Sequence, residues 1–166
     1  MTVVDASVVA DWLDPDAPAK SPASRLLAQL RDSETRPMAP RLILQEVSNH
    51  LLKGVRSRRW SGEEADEAFL QLQAMPIRII DDSRDVAGAW ALSRRYDNHP
   101  VYDMVYVALA QRLRDEFITK DARLAKKVAD LPFVHLLEDS DRAAYQRKPE
   151  RPDNSWTEAE AWEDQR

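Results

Sequence analysis

Five short apolar runs recur along this chain, with helical stretches between them: Thr2-Val3-Val4, Met38-Ala39, Ile77-Arg78-Ile79-Ile80, Glu116-Phe117-Ile118-Thr119 and Phe133-Val134-His135-Leu136-Leu137. Runs of this length, separated by amphipathic segments, point to an α/β domain around a mostly parallel sheet. The intervening stretches carry helical spacing and helix punctuation. Val8, Val9, Trp12 and Leu13 form one stripe, ended by Asp14-Pro15, and Ser21-Pro22 opens a second helix bearing Leu26, Leu27 and Leu30. Pro40 begins a third with Ile43, Val47, Leu51 and Val55, which Gly54 and the basic run Arg56 to Arg59 bring towards its end. Ser61-Gly62-Glu63-Glu64 opens a fourth, Ser83 to Tyr96 a fifth, and Asp121 to Ala129 a short last one.

At 166 residues the chain suits one domain with a proper core, expected over 1–138 and followed by a polar acidic tail over 139–166. No repeat, heptad run or glycine-rich phosphate loop is visible. The absence of cysteine rules out a disulfide framework, a thiolate zinc site and a cysteine nucleophile. No apolar run approaches membrane-spanning length, and Met1-Thr2-Val3-Val4-Asp5 lacks the basic and apolar regions of a secretion signal, so a cytoplasmic location is expected. Most of the net charge of −5 falls in residues 150–166. The body is nearly neutral, so an anionic substrate has to be held by local bases or by metal ions.

The stretch Val101-Tyr102-Asp103-Met104-Val105-Tyr106-Val107-Ala108-Leu109-Ala110-Gln111 is apolar around most of its circumference, as a buried helix would be. Asp103 stands in its first turn, after Pro100. In an open parallel sheet, ligands bind outside the carboxyl ends of the strands, and that rule selects the other acids that can meet Asp103. Asp5 leaves the first strand, Asp121 follows Thr119 by two residues, and Glu46 lies mid-helix. Each also has a purely structural reading. Asp5 and Asp121 suit helix caps, Asp103 suits the positive end of its helix dipole, and Glu46 suits a solvated helix face.

The joint pattern resembles the PIN domain, and within it the VapC-type toxins of bacterial toxin–antitoxin pairs. Val3-Val4-Asp5-Ala6-Ser7 is similar to the family's first strand and first acid. Pro40-Arg41-Leu42-Ile43-Leu44-Gln45-Glu46-Val47 resembles the helix with the second acid. Tyr102-Asp103-Met104-Val105-Tyr106-Val107-Ala108-Leu109-Ala110 resembles the segment with the third, and Thr119-Lys120-Asp121-Ala122-Arg123-Leu124 the strand end with the fourth. The resemblance runs to about Leu137 and leaves the tail out. It implies a three-layer α/β/α domain and a ribonuclease for single-stranded or looped RNA that uses Mg²⁺ or Mn²⁺ bound by Asp5, Glu46, Asp103 and Asp121. Ser7 and Thr119 match polar positions beside that site, whereas Lys120 stands where the family often has a small residue. A cognate antitoxin and a homodimer are also implied.

The residue types suit that chemistry. Phosphodiester hydrolysis needs an activated water, neutralised phosphate charge and help for the departing oxygen, all within reach of a hard cation bound by carboxylates. Asp5 and Asp103 are assigned to the main ion, with Glu46 and Asp121 completing the shell or supporting a second. Lys53, Arg56, Arg58, Arg59 and, after Asp121, Arg123, Lys126 and Lys127 are candidate RNA contacts, and Trp12 a candidate for base stacking. The three histidines form no metal-ligand pattern. Leu26, Leu27, Leu30, Leu51, Leu52 and Val55 are a candidate groove for an antitoxin helix. In the tail, Ser155-Trp156-Thr157-Glu158 has capping-box spacing, so a short helix from Trp156 to about Asp164 is expected there. Two alternatives stand. One is a receiver-like phosphoacceptor using Asp5, Asp81 or Asp82, and Lys120; the other is a non-catalytic PIN-like binding module.

Overall fold

A computed structural model describes residues 1–18 and 20–138; the expected tail over 139–166, with its capping box and helix, lies outside the described residues. The elements run β1 (Thr2–Val4), α1 (Ala6–Leu13), α2 (Pro22–Asp32), β2 (Pro37–Pro40), α3 (Leu42–Arg56), α4 (Gly62–Ala74), β3 (Arg78–Ile80), α5 (Ser83–Arg95), α6 (Val101–Leu113), β4 (Glu116–Thr119), α7 (Ala122–Lys127) and β5 (Val134–Leu136). The strands form one sheet of order β3-β2-β1-β4-β5 within a three-layer α/β/α arrangement. Every pairing is parallel, so the sheet is parallel throughout rather than mostly so.

Strand order locates the crevice. From β1 the chain builds outward through β2 to β3, then returns to lay β4 on the other side of β1 and β5 beyond it. The switch point therefore falls between β1 and β4, where ligands of open α/β sheets bind. Thr2, Val3 and Val4 pair with Glu116, Phe117 and Ile118, and the ladder runs one step further, with the Asp5 amide donating to the Ile118 carbonyl at 3.0 Å. The chains leave these two strands side by side, carrying Asp5 and Asp121.

Helix ends follow side-chain chemistry. Ser21 caps α2 by accepting from the Ser24 amide at 3.1 Å, and Ser61 and Glu64 form a reciprocal capping box on α4. α6 is buried over most of its length, with Met104 and Tyr106 to Ala110 all buried. It packs over β1, β2 and β4 and against α5. Successive strand residues point to opposite faces. Phe117 accordingly stacks with Tyr106 of α6 at a centroid distance of 6.0 Å, while Ile118 joins Val8, Leu26 and Leu30 in a separate cluster.

Two expectations change here. Leu26 and Leu30 belong to that second cluster and Leu51 to the main core, so the six apolar residues do not line one groove; Leu52 alone of them is exposed. Gly54 also does more than mark the end of α3. The chain turns back after Arg58, which has φ 58°, and seats the buried Trp60 indole directly on Gly54. A Cβ at Gly54 would lie 2.6 Å from Trp60 Cε3. Gly54→Ala is therefore expected to destabilise the fold by about 1–2 kcal/mol, overpacking outweighing alanine's better helix propensity. A denaturant titration with Trp fluorescence checks this.

Candidate active site

Asp5 stands at the N-cap position of α1, yet its side chain makes no capping bond. Its Oδ2 instead accepts from two hydroxyls, Ser7 at 2.8 Å and Thr119. Each hydroxyl also accepts from an amide of the turn after β4. Ser7 accepts from the Lys120 amide at 3.0 Å, and Thr119 from the Asp121 amide at 2.9 Å. Ser7 and Thr119 thus tie the exit of β1 to the exit of β4 and fix the Asp5 rotamer. Asp121 does cap its helix, its Oδ1 accepting from the Arg123 and Leu124 amides at 2.8 and 3.1 Å.

The other two acids arrive from helices. Glu46 is half-buried in mid-α3 and accepts at Oε2 from the Tyr106 hydroxyl of α6. Asp103 begins α6, and its Oδ2 lies 2.8 Å from His99 Nε2, one turn earlier. Asp5, Glu46, Asp103 and Asp121 line one open cavity of about 250 Å³, with Ala6, Ser7, Ala10 and His50. All four predicted acids thus meet at one place.

Electrostatics reflects that convergence. Burial pushes the Asp5 carboxyl up from its ordinary 3.8, against the opposing effect of the Thr119 and Ser7 hydroxyls. Burial also raises Glu46; the Tyr106 bond opposes this, and the charges of Asp5 and Asp103 add to it. Asp103 is raised by burial and by Asp121 and Asp5, with His99 pulling the other way. Buried like charges of this kind favour either a shared proton or a cation. The donors are all carboxylate oxygens, which suit Mg²⁺ or Mn²⁺. Among the described residues no three His, Asp or Glu side chains stand close enough together to hold a metal ion. That is compatible with an ion that keeps several waters and takes few protein ligands, as Mg²⁺ does.

A family model described as the PIN domain matches residues 2–131. The chain belongs to the PIN domain family. It is 29% identical over 127 residues to Ribonuclease VapC3 of Pyrobaculum aerophilum, spanning 75% of this chain and 92% of that protein. It is 35% identical over 128 residues to Ribonuclease VapC1 of Mycobacterium tuberculosis, spanning 74% and 87%. Among solved structures, a toxin–antitoxin complex from Klebsiella pneumoniae contains a chain matching with a TM-score of 0.60. It covers 83% of this chain and 98% of that one at 20% identity, a likeness of fold.

The receiver-like alternative does not fit this PIN domain. Asp81 and Asp82 follow β3 at the sheet edge, two strands from β1. Asp81 accepts from Arg41 Nε at 2.6 Å, Asp82 caps α5, and the Lys120 ammonium pairs with Asp11. The basic candidates divide. Arg56, Arg58, Arg123 and Lys126 are exposed, as is Lys53. Arg59 instead pairs with Asp14 and lies over the Trp60 ring, 5.1 Å from its centroid, and Lys127 pairs with Asp97. Trp12 is withdrawn from base stacking, because its indole donates to the Ala23 carbonyl at 2.7 Å and packs on both core clusters. Three participants escaped the sequence reading: His99, His50 and Tyr106. The His99–Asp103 spacing of one turn was a usable signal; nothing local relates Tyr106 to Glu46.

Among the described residues no helix is long and apolar enough to cross a membrane.

Proposed function

We propose that this protein is a metal-dependent endoribonuclease, the toxin of a toxin–antitoxin pair, acting on RNA in the cytoplasm. The observation that carries the reading is the meeting of four carboxylates in one cavity at the β1/β4 switch point, with Asp5 fixed by two hydroxyls. The relatives named Ribonuclease VapC support it. On this reading Asp5 and Asp103 hold the principal Mg²⁺ or Mn²⁺, and Glu46 and Asp121 complete the shell directly or through waters. A divalent ion so bound supplies charge neutralisation at the phosphate and a more acidic water.

The chain's own residues do the rest. Ser7 and Thr119 prevent Asp5 from rotating away, Tyr106 orients Glu46, and His99 orients Asp103. Exposed Arg56, Arg58 and Arg123 are the available contacts for RNA phosphates. Apolar surface for an antitoxin or a second subunit remains at Leu52 of α3, Phe69 and Leu70 of α4, and Val86 and Trp90 of α5.

The test is cleavage of an end-labelled single-stranded RNA by purified protein. Cleavage in Mg²⁺ or Mn²⁺, lost in chelator and regained on adding metal, is expected. RNA left intact in either ion by the folded, antitoxin-free protein would exclude the nuclease reading and leave a binding module.

The raised carboxyls give a separate, signed expectation. In metal-free protein the native state retains protons that the unfolded chain has released, so stability falls as pH rises from the ordinary carboxylate range through the raised native values. Metal needs the ionised carboxylates. Mn²⁺ should therefore raise the melting temperature more at neutral than at mildly acid pH. Equal shifts at both would contradict the site.

A further inference from the structure

Along α3, Glu46, His50 and Gly54 follow one another at one-turn spacing. Glu46 and His50 line the cavity, and Gly54 seats Trp60. The other lining side chains are carboxylates, one serine and two alanines, so His50 brings the one flat ring to that wall. The ring is exposed but not unsupported. It leans on Trp60 at a centroid distance of 5.9 Å and an angle of 58°. Trp60 is itself buried against Gly54 and covered by Arg59, which Asp14 anchors.

The surroundings of His50 suit a nucleotide. Partial burial, Lys53 and Lys120 hold its pKa below the ordinary 6.5, with Asp11 opposing. Exposed Lys53, three residues further along α3, offers a cation on the same side for a flanking phosphate. Carboxylates can bind a metal ion but give a nucleobase no face to stack on. Imidazole rings do, and unpaired RNA bases are commonly held this way.

We infer that His50 is a substrate-contacting residue, its Trp60-backed ring stacking on the unpaired RNA base next to the phosphate held at the acids. The inference deepens the nuclease reading and rests on it. Duplex RNA keeps its base faces covered, so the site selects single-stranded or looped RNA.

The experiment measures steady-state cleavage of a short end-labelled single-stranded RNA of mixed sequence in Mg²⁺ or Mn²⁺. It compares wild type, His50→Ala and His50→Phe, with thermal melts establishing that each variant is folded. His50→Ala is expected to raise KM on the order of tenfold with little change in kcat, and His50→Phe to recover most of the loss because it restores a ring. An unchanged KM in His50→Ala overturns the proposal. So does a His50→Phe variant as impaired as His50→Ala, which would assign the effect to the imidazole nitrogens. A loss confined to kcat overturns it too, placing His50 in the chemical step. Wild type that cleaves while His50 proves indifferent defeats this inference alone; wild type that fails to cleave defeats the nuclease reading and this inference together.

Discussion

Asp5→Asn is expected to reduce RNA cleavage by about a thousandfold or more while leaving the protein folded. A bound metal supplies several kcal/mol of transition-state stabilisation, and each ~1.4 kcal/mol lost is tenfold in rate. Folding should survive because the substitution keeps the shape and the structural bonds. The Ser7 and Thr119 hydroxyls both donate to Oδ2, and the amide oxygen of asparagine can take that position and accept both. Its NH₂ then replaces Oδ1, which removes a cation ligand and a negative charge together. Since burial raises the Asp5 carboxyl, the neutral isostere should melt no lower than wild type in the absence of metal. Asp5→Asn with full activity in Mg²⁺, or too unstable to fold, would each show that Asp5 has another role.

The second large effect is on stability and lies outside the cavity. Asp85 of α5 is 3% exposed, and Arg112 of α6 bonds both its oxygens, at 2.6 and 2.9 Å. Neither residue lines the acid cavity. Arg112→Met leaves a buried carboxylate without its cation and is expected to cost about 3 kcal/mol. Urea unfolding should show a lower midpoint at an unchanged slope. Replacing both partners, Arg112→Met with Asp85→Leu, should recover most of the loss, because the expense is the unpaired charge rather than the missing attraction. A single Arg112→Met variant within 0.5 kcal/mol or so of wild type would mean that water reaches Asp85.

What the sequence made legible follows from periodicity and local chemistry. Strand and helix identities were readable because Thr2-Val3-Val4 and Glu116 to Thr119 are short apolar runs, while Ser21, Ser61 and Asp82 are capping residues followed by helical stripes. Helix C-termini were less legible. The left-handed positions where glycine usually signals a stop are occupied by Glu34, Arg58, Asp97, Asn98 and Arg114. Gly54, the one glycine that looked like a stop, serves Trp60 instead.

The acids were found because each follows a strand end or lies in a segment whose pattern resembles a PIN domain. Their supporting bonds were harder to see. Thr119 to Asp5 and Tyr106 to Glu46 join residues far apart in the chain, and only the strand order brings them together. Arg59 departs from the rest of the basic run for a similar reason. Composition shows that Arg59 is a cation but not that Asp14 and Trp60 already occupy it.

Direct titration of Mn²⁺ into the protein, by calorimetry or by the spin signal of the free ion, tests the central claim that the four acids form one metal site. Wild type should bind Mn²⁺ in competition with Mg²⁺, Asp5→Asn and Asp103→Asn should each lose at least about tenfold in affinity, and His50→Ala should bind as wild type does. Undiminished Mn²⁺ affinity in both carboxylate variants would contradict the account.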